Sequence, residues 1–174
     1  MPHPLEVQYD LTATELLDAI DRRFRLKVAI EGAVAEVHFA RKLRVATQEG
    51  WLADHIELDA DGMHDFDVVT VGGQVLRVEV KTVRNDPPPR VELQKTRNAR
   101  DDPTSRLYDR AKFDVVAVCM GRQTGVWSEF RYALARELPG HKKHASKLQI
   151  MNRIADTPGG VRWFSRFQDV IDAL

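Results

Sequence analysis

The segment Phe113–Met120, reading FDVVAVCM, constrains the fold most. It is almost continuously apolar, rich in β-branched residues and followed by Gly121, too short for an ordinary helix but right for a strand buried on both faces. Such a strand needs neighbours on its edges and a layer on each face, so the chain is expected to be a layered α/β protein with this strand at its centre. With 174 residues, 43% of them apolar, the chain can fill one core of this kind, and no repeat, linker or composition break divides it. A single domain over residues 1–174 is therefore expected. Matched charge, 26 Lys+Arg against 26 Asp+Glu, excludes the highly charged disordered class, and 10 Gly and 8 Pro without a period exclude a collagen-like one. The lone Cys119 cannot form an internal disulfide. No basic-then-apolar leader opens MPHPLEVQYD and no run approaches the ~18 apolar residues of a membrane span, so a cytoplasmic protein without membrane association is expected.

Around the central strand, local patterns predict the remaining elements. Leu16, Leu17, Ile20 and Phe24 recur at helical spacing behind Thr12 and Thr14, which predicts a helix over Thr14–Leu26; a second should run from Val28 to Gln48 and end near Gly50. Short strands are expected over His55–Leu58, Asp65–Val71 and Val75–Thr82, the last two forming a hairpin about Gly72-Gly73. A further strand over Arg90–Thr96, a helix from Asp102-Pro103 to Ala111, a strand over Ser128–Ala133 and a C-terminal helix in FQDVIDAL complete the order.

Chemistry concentrates on the hairpin and on the helix before it. In VLRVEVKT, Glu79 and Lys81 share one strand face, opposite Leu76, Val78 and Val80. A two-residue Gly72-Gly73 loop puts Asp67 and Glu79 on opposite sides of the sheet, whereas a three-residue loop, Gly72 to Gln74, or a bulge sets Asp67 directly across from Glu79; the second arrangement is expected. Asp67 and Glu79 then offer hard oxygen ligands to a divalent cation, with Lys81 beside them to orient a water or phosphate; a solvated charge cluster is the alternative. On the preceding helix, Glu36 falls in the apolar sector with Gly32, Phe39, Ala40 and Leu43, so it needs a partner, either Arg44 or a metal ion.

Asp67, then Glu79 twelve positions on, then Lys81 in EVK resemble the PD-(D/E)xK nuclease superfamily. The proline of the motif is missing, and His64-Asp65-Phe66-Asp67 leaves Asp65 as a rival first ligand. The helix segment GAVAE is similar to the opening helix of Holliday-junction resolvases and restriction-type nucleases, in which a glutamate faces the metal site. This resemblance implies a restriction-endonuclease-like αβββαβ core, a mixed central sheet flanked by helices, with 134–174 a C-terminal extension. It implies a metal-dependent endodeoxyribonuclease, restriction or defence type or junction-resolving, with Mg²⁺ as cofactor and Mn²⁺ as a substitute. Asp67, Glu79 and Glu36 would be its metal ligands, Lys81 its catalytic lysine and Gln94 an accessory polar group, although Asn98 departs from the glutamine-tyrosine signature of one branch. A non-catalytic nucleic-acid-binding or assembly subunit keeping the fold is the competing reading.

Charge distribution bears on the partner. Residues 1–80 carry 8 basic and 15 acidic side chains, whereas 81–112 carry 9 and 5 and 131–153 carry 6 and 1. The basic stretches supply Arg84, Lys95, Arg97, Arg100, Arg106, Lys142 and Lys143 as candidate DNA phosphate contacts, with a solubilising side chain the alternative at each position. One catalytic set per chain points to a homodimer for cutting two strands, and the C-terminal extension could dock a protein partner.

Overall fold

The computed structural model describes residues 2–60, 62–95, 102, 104–155 and 160–174. Its contacts divide the chain into two units, 1–34 and 35–174. In the first, α1 (Pro4–Tyr9) and α2 (Ala13–Asp21) each open on a reciprocal cap, His3 with Glu6 and Thr12 with Glu15, which satisfies amide groups that a helix start leaves free. The helix expected over Thr14–Leu26 stops at Asp21, and α3 starts early, at Phe24, running to Gln48. Leu16, Ile20 and Phe24 keep helical spacing across that break, so periodicity alone does not reveal it.

The second unit is built on a mixed sheet of β1 (Leu52–Glu57), β2 (Phe66–Thr70), β3 (Val75–Thr82), β5 (Val115–Cys119) and β6 (Phe130–Leu134), in that spatial order. β3 and β5 run parallel, and the other neighbours are antiparallel. Every residue of β5 is buried, as its composition requires. From Ala35 onward, α3 lays Ala35, Phe39, Leu43 and Ala46 on the face formed by Leu76, Val78, Val80, Val115 and Ala117. The short α4 (Gly121–Thr124) leads toward β6, and α5 (Phe167–Ile171) packs Phe167 and Val170 onto the same face as α3. The sheet is thus flanked by helices, and residues after 134 help to build its core.

The opposite face departs from expectation. Residues 104–112 form turns and isolated bridges instead of a helix; Pro103 lies outside the described residues. Asp102 accepts a hydrogen bond from the Thr104 amide at 2.7 Å, an Asx turn that uses the acid without starting a helix. Leu107 and Tyr108, adjacent in sequence, are both buried, which extended chain achieves and one helix face does not. That face is covered by a ribbon of β4 (Arg90–Glu92) and β7 (Met151–Arg153), so the strand expected over Arg90–Thr96 is shorter and belongs to this ribbon. Thr96 lies outside the described residues. Among the described residues, no helix is long and apolar enough to cross a membrane.

Candidate active site

The hairpin decides which acid meets Glu79. Its loop is three residues long, as expected, but sits one position earlier: Val71, Gly72 and Gly73, closed by the Thr70 amide donating to the Gln74 carbonyl at 2.9 Å. Gly73, at φ 82°, takes the left-handed position such a loop requires. Moving the loop by one shifts the strand register by two. Asp67 therefore pairs with Arg77, not Glu79, which corrects the expected alignment. Continuing the register from Phe66↔Val78 brings Asp65 to the level of Glu79. The Asp65 amide donates to the Val78 carbonyl at 3.0 Å, and its side-chain Oδ2 accepts from the Val80 amide at 2.6 Å.

A polar cavity of about 580 Å³ opens here, lined by Glu36, Asp65, Glu79, Lys81, Lys95 and Tyr108 together with residues of the β1–β2 connection such as Asp59 and Met63. Glu36 reaches it from α3 and not from a pairing with Arg44. Asp67 does not line it; its carboxylate instead meets His64 Nε2 at 2.6 Å. Nor does Gln94, whose neighbour Lys95 does. The structure thus brings together Glu36, Glu79, Lys81 and Lys95 of the sequence-selected residues, with Asp65 where Asp67 was expected.

Glu79 is the centre of the cavity's electrostatics. It is 2% exposed, and its Oε1 accepts from both Lys81 Nζ and the Tyr108 hydroxyl, while Oε2 is buried and, among the described residues, has no hydrogen-bond partner. An orphaned carboxylate oxygen is expensive in a folded protein unless something else occupies its lone pairs. Burial first, and then the charge of Asp65, pushes the Glu36 carboxyl up to about 7; burial and Glu79 push Asp65 up to about 6. Burial pulls the Lys81 ammonium down, but Glu79, Tyr108 and Asp65 outweigh it and leave Lys81 raised and firmly charged. Glu36, Asp65 and Glu79 thus line one cavity with two lysines, and the first two acids resist ionising beside the third.

The donor set suits a divalent cation: hard carboxylate oxygens, one of them unpartnered. Among the described residues, however, no three His, Cys, Asp or Glu side chains already converge on one ligand position. Tyr108 is the residue that sequence reasoning missed. It comes from a stretch without periodicity, and its only signal is a tyrosine next to Leu107 in a segment that must cover Val116 and Val118.

The remaining basic candidates are dispersed. Arg84 is held by Glu92 at 2.7 Å, Arg106 donates to the Lys95 carbonyl at 3.0 Å, and Lys142 and Lys143 are exposed beyond β6. Arg97 and Arg100 lie outside the described residues.

No protein-family model matches this chain, and no curated protein matches it. Among solved structures, it is similar to one described as the bacterial homing endonuclease I-Ssp6803I, at 17% identity and a TM-score of 0.48, over 74% of this chain and 78% of that one.

Proposed function

We propose that the protein is a divalent-metal-dependent DNA endonuclease of the PD-(D/E)xK kind, acting on foreign or branched duplex DNA. The observation that carries this reading is the buried Glu79 carboxylate, one oxygen of which has no partner among the described residues, beside Asp65 and Glu36 and next to the charged Lys81. The order helix, three antiparallel strands, then a parallel buried strand supports it, because Glu79 and Lys81 fall on the strand that joins the two halves of the sheet.

In this reading Asp65 and Glu79 hold Mg²⁺, with Glu36 as the third acid; Asp65 takes the place proposed from sequence for Asp67. When bound, the ion neutralises a scissile phosphate and lowers the pKa of a water molecule. The chain's own groups do the positioning. Lys81, tied to Glu79 Oε1 and 3.2 Å from the Val80 carbonyl, keeps a proton and a positive charge at the cavity, suited to orient an attacking water or a phosphate oxygen. Lys95 adds a second cation on the cavity wall for the DNA backbone. Glu36 and Asp65, which burial and repulsion from neighbouring carboxylates keep from ionising together, would hold a cation as charged carboxylates.

The test is incubation of the purified protein with supercoiled plasmid, linear duplex, single-stranded DNA and a four-way junction in Mg²⁺, Mn²⁺ or EDTA, alongside Glu79→Ala and Lys81→Ala. Metal-dependent cutting that drops by at least about a thousandfold in each variant is expected. Folded protein that binds DNA but cuts none of these substrates would instead make it a binding subunit.

A further inference from the structure

The Tyr108 ring is buried edge-to-face on Phe113, with centroids 5.5 Å apart, and its hydroxyl is aimed at Glu79 Oε1. Two ammonium groups flank the same ring: Lys81 Nζ lies 5.4 Å from its centroid and Lys95 Nζ 5.9 Å. One aromatic side chain therefore touches three of the groups that line the polar cavity. The consequence for Glu79 is geometric. The terminal torsion of a glutamate is soft, so a carboxylate held by one flexible lysine can turn either oxygen to the cavity. Among the described residues both of its hydrogen bonds fall on Oε1, and only the tyrosine comes from a rigid, packed ring. That second anchor fixes the carboxylate plane and leaves Oε2 as the free atom.

We propose that Tyr108 is a positioning residue that holds Glu79 with Oε2 presented to a bound divalent cation, while its ring seats Lys81 and Lys95 for the phosphate backbone. This rests on the metal-dependent reading above. Outer partners of metal-binding carboxylates typically change affinity or activity by about 10- to 100-fold when removed.

The experiment compares wild type, Tyr108→Phe and Tyr108→Leu for direct Mn²⁺ binding by calorimetry, for plasmid cleavage across a Mn²⁺ titration, and for thermal melting. Tyr108→Phe keeps the ring and its packing, so its melting temperature and KM for DNA should match wild type while half-saturation by Mn²⁺ rises about tenfold. Tyr108→Leu removes the ring as well and should raise KM for DNA in addition, a split that simple loss of folded protein would not produce. Wild-type Mn²⁺ affinity in a folded Tyr108→Phe protein would overturn the positioning role while leaving the nuclease reading intact. A wild-type protein that neither takes up Mn²⁺ nor cuts DNA would overturn both.

Discussion

Two concavities of the second unit differ in nearly every respect. The larger, about 710 Å³, lies between α3 and the residues around α5 and is walled by Phe39, Leu43, Trp51, Tyr132 and Phe167, with Arg41, Lys42 and Arg166 contributing as well. The smaller, about 580 Å³, is walled by Glu36, Asp65, Glu79 and Lys81. In the first, the rings satisfy one another: Phe39 sits 5.2 Å from Phe66 and 5.5 Å from Phe167, both edge-on. In the second, a carboxylate oxygen has no partner among the described residues, and burial and repulsion from neighbouring carboxylates push two acids up to about 7 and about 6. Size follows from how helices meet a sheet edge, whereas unmet charge has to be maintained against the preference of the fold. The smaller cavity is therefore the one to which the proposed chemistry is assigned.

The contrast breaks most sharply at Phe39. Phe39→Ala removes the ring on which the apolar side is organised and should cost about 3–5 kcal/mol of stability, measured by denaturant unfolding, while Mn²⁺ affinity of the remaining folded protein stays unchanged. If metal affinity falls with it, the two regions are not separable.

The next effect has the opposite sign. Because folding raises the Glu36 and Asp65 carboxyls above their ordinary 4.5 and 3.8, the folded state of the metal-free protein binds more protons than the unfolded one. Their contribution to stability therefore falls as pH rises from about 4 to about 7. Asp65→Asn should flatten that decline in thermal melts, and saturating Mg²⁺ should offset it in the wild type. A decline that persists in Asp65→Asn at full strength would assign it to other groups.

A smaller effect belongs to a surface pair away from either cavity. The side-chain hydrogen bonds from Arg77, one at 2.8 Å, hold the Asp114 carboxyl below its usual range. Folding lowers this acid, so its stabilisation is complete above the ordinary carboxylate range and is lost as pH falls through the lowered value. Asp114→Asn should remove part of the acid-side loss only, and the partly exposed position keeps the effect to about 1 kcal/mol or less.

How far the sequence announces this arrangement depends on the kind of signal. β5 is legible because a stretch with seven apolar residues in eight has few other uses, and the faces of β3 are legible because Glu79 and Lys81 alternate with Leu76, Val78 and Val80. Glu36 is legible from helical angle, since it adjoins Ala35 and lies three residues from Phe39, both buried. Asp65 and Asp67 are not distinguishable this way: both have the parity of Glu79, and the choice rests on where a three-residue loop begins. Gly72-Gly73 permits either start. Tyr108 is less legible still, because its partner is 29 residues away and its own segment follows a helix-start signal at Asp102, whose side chain accepts from the Thr104 amide instead.

The choice between the two aspartates is also where the account is most exposed. The direct measurement is plasmid cleavage in Mg²⁺ by Asp65→Asn and Asp67→Asn, each shown to be folded. Loss of cutting by about a thousandfold or more in Asp65→Asn, with Asp67→Asn within a few-fold of wild type, is the predicted result. Full activity in Asp65→Asn, or loss confined to Asp67→Asn, would contradict the assignment of the polar cavity as the catalytic centre.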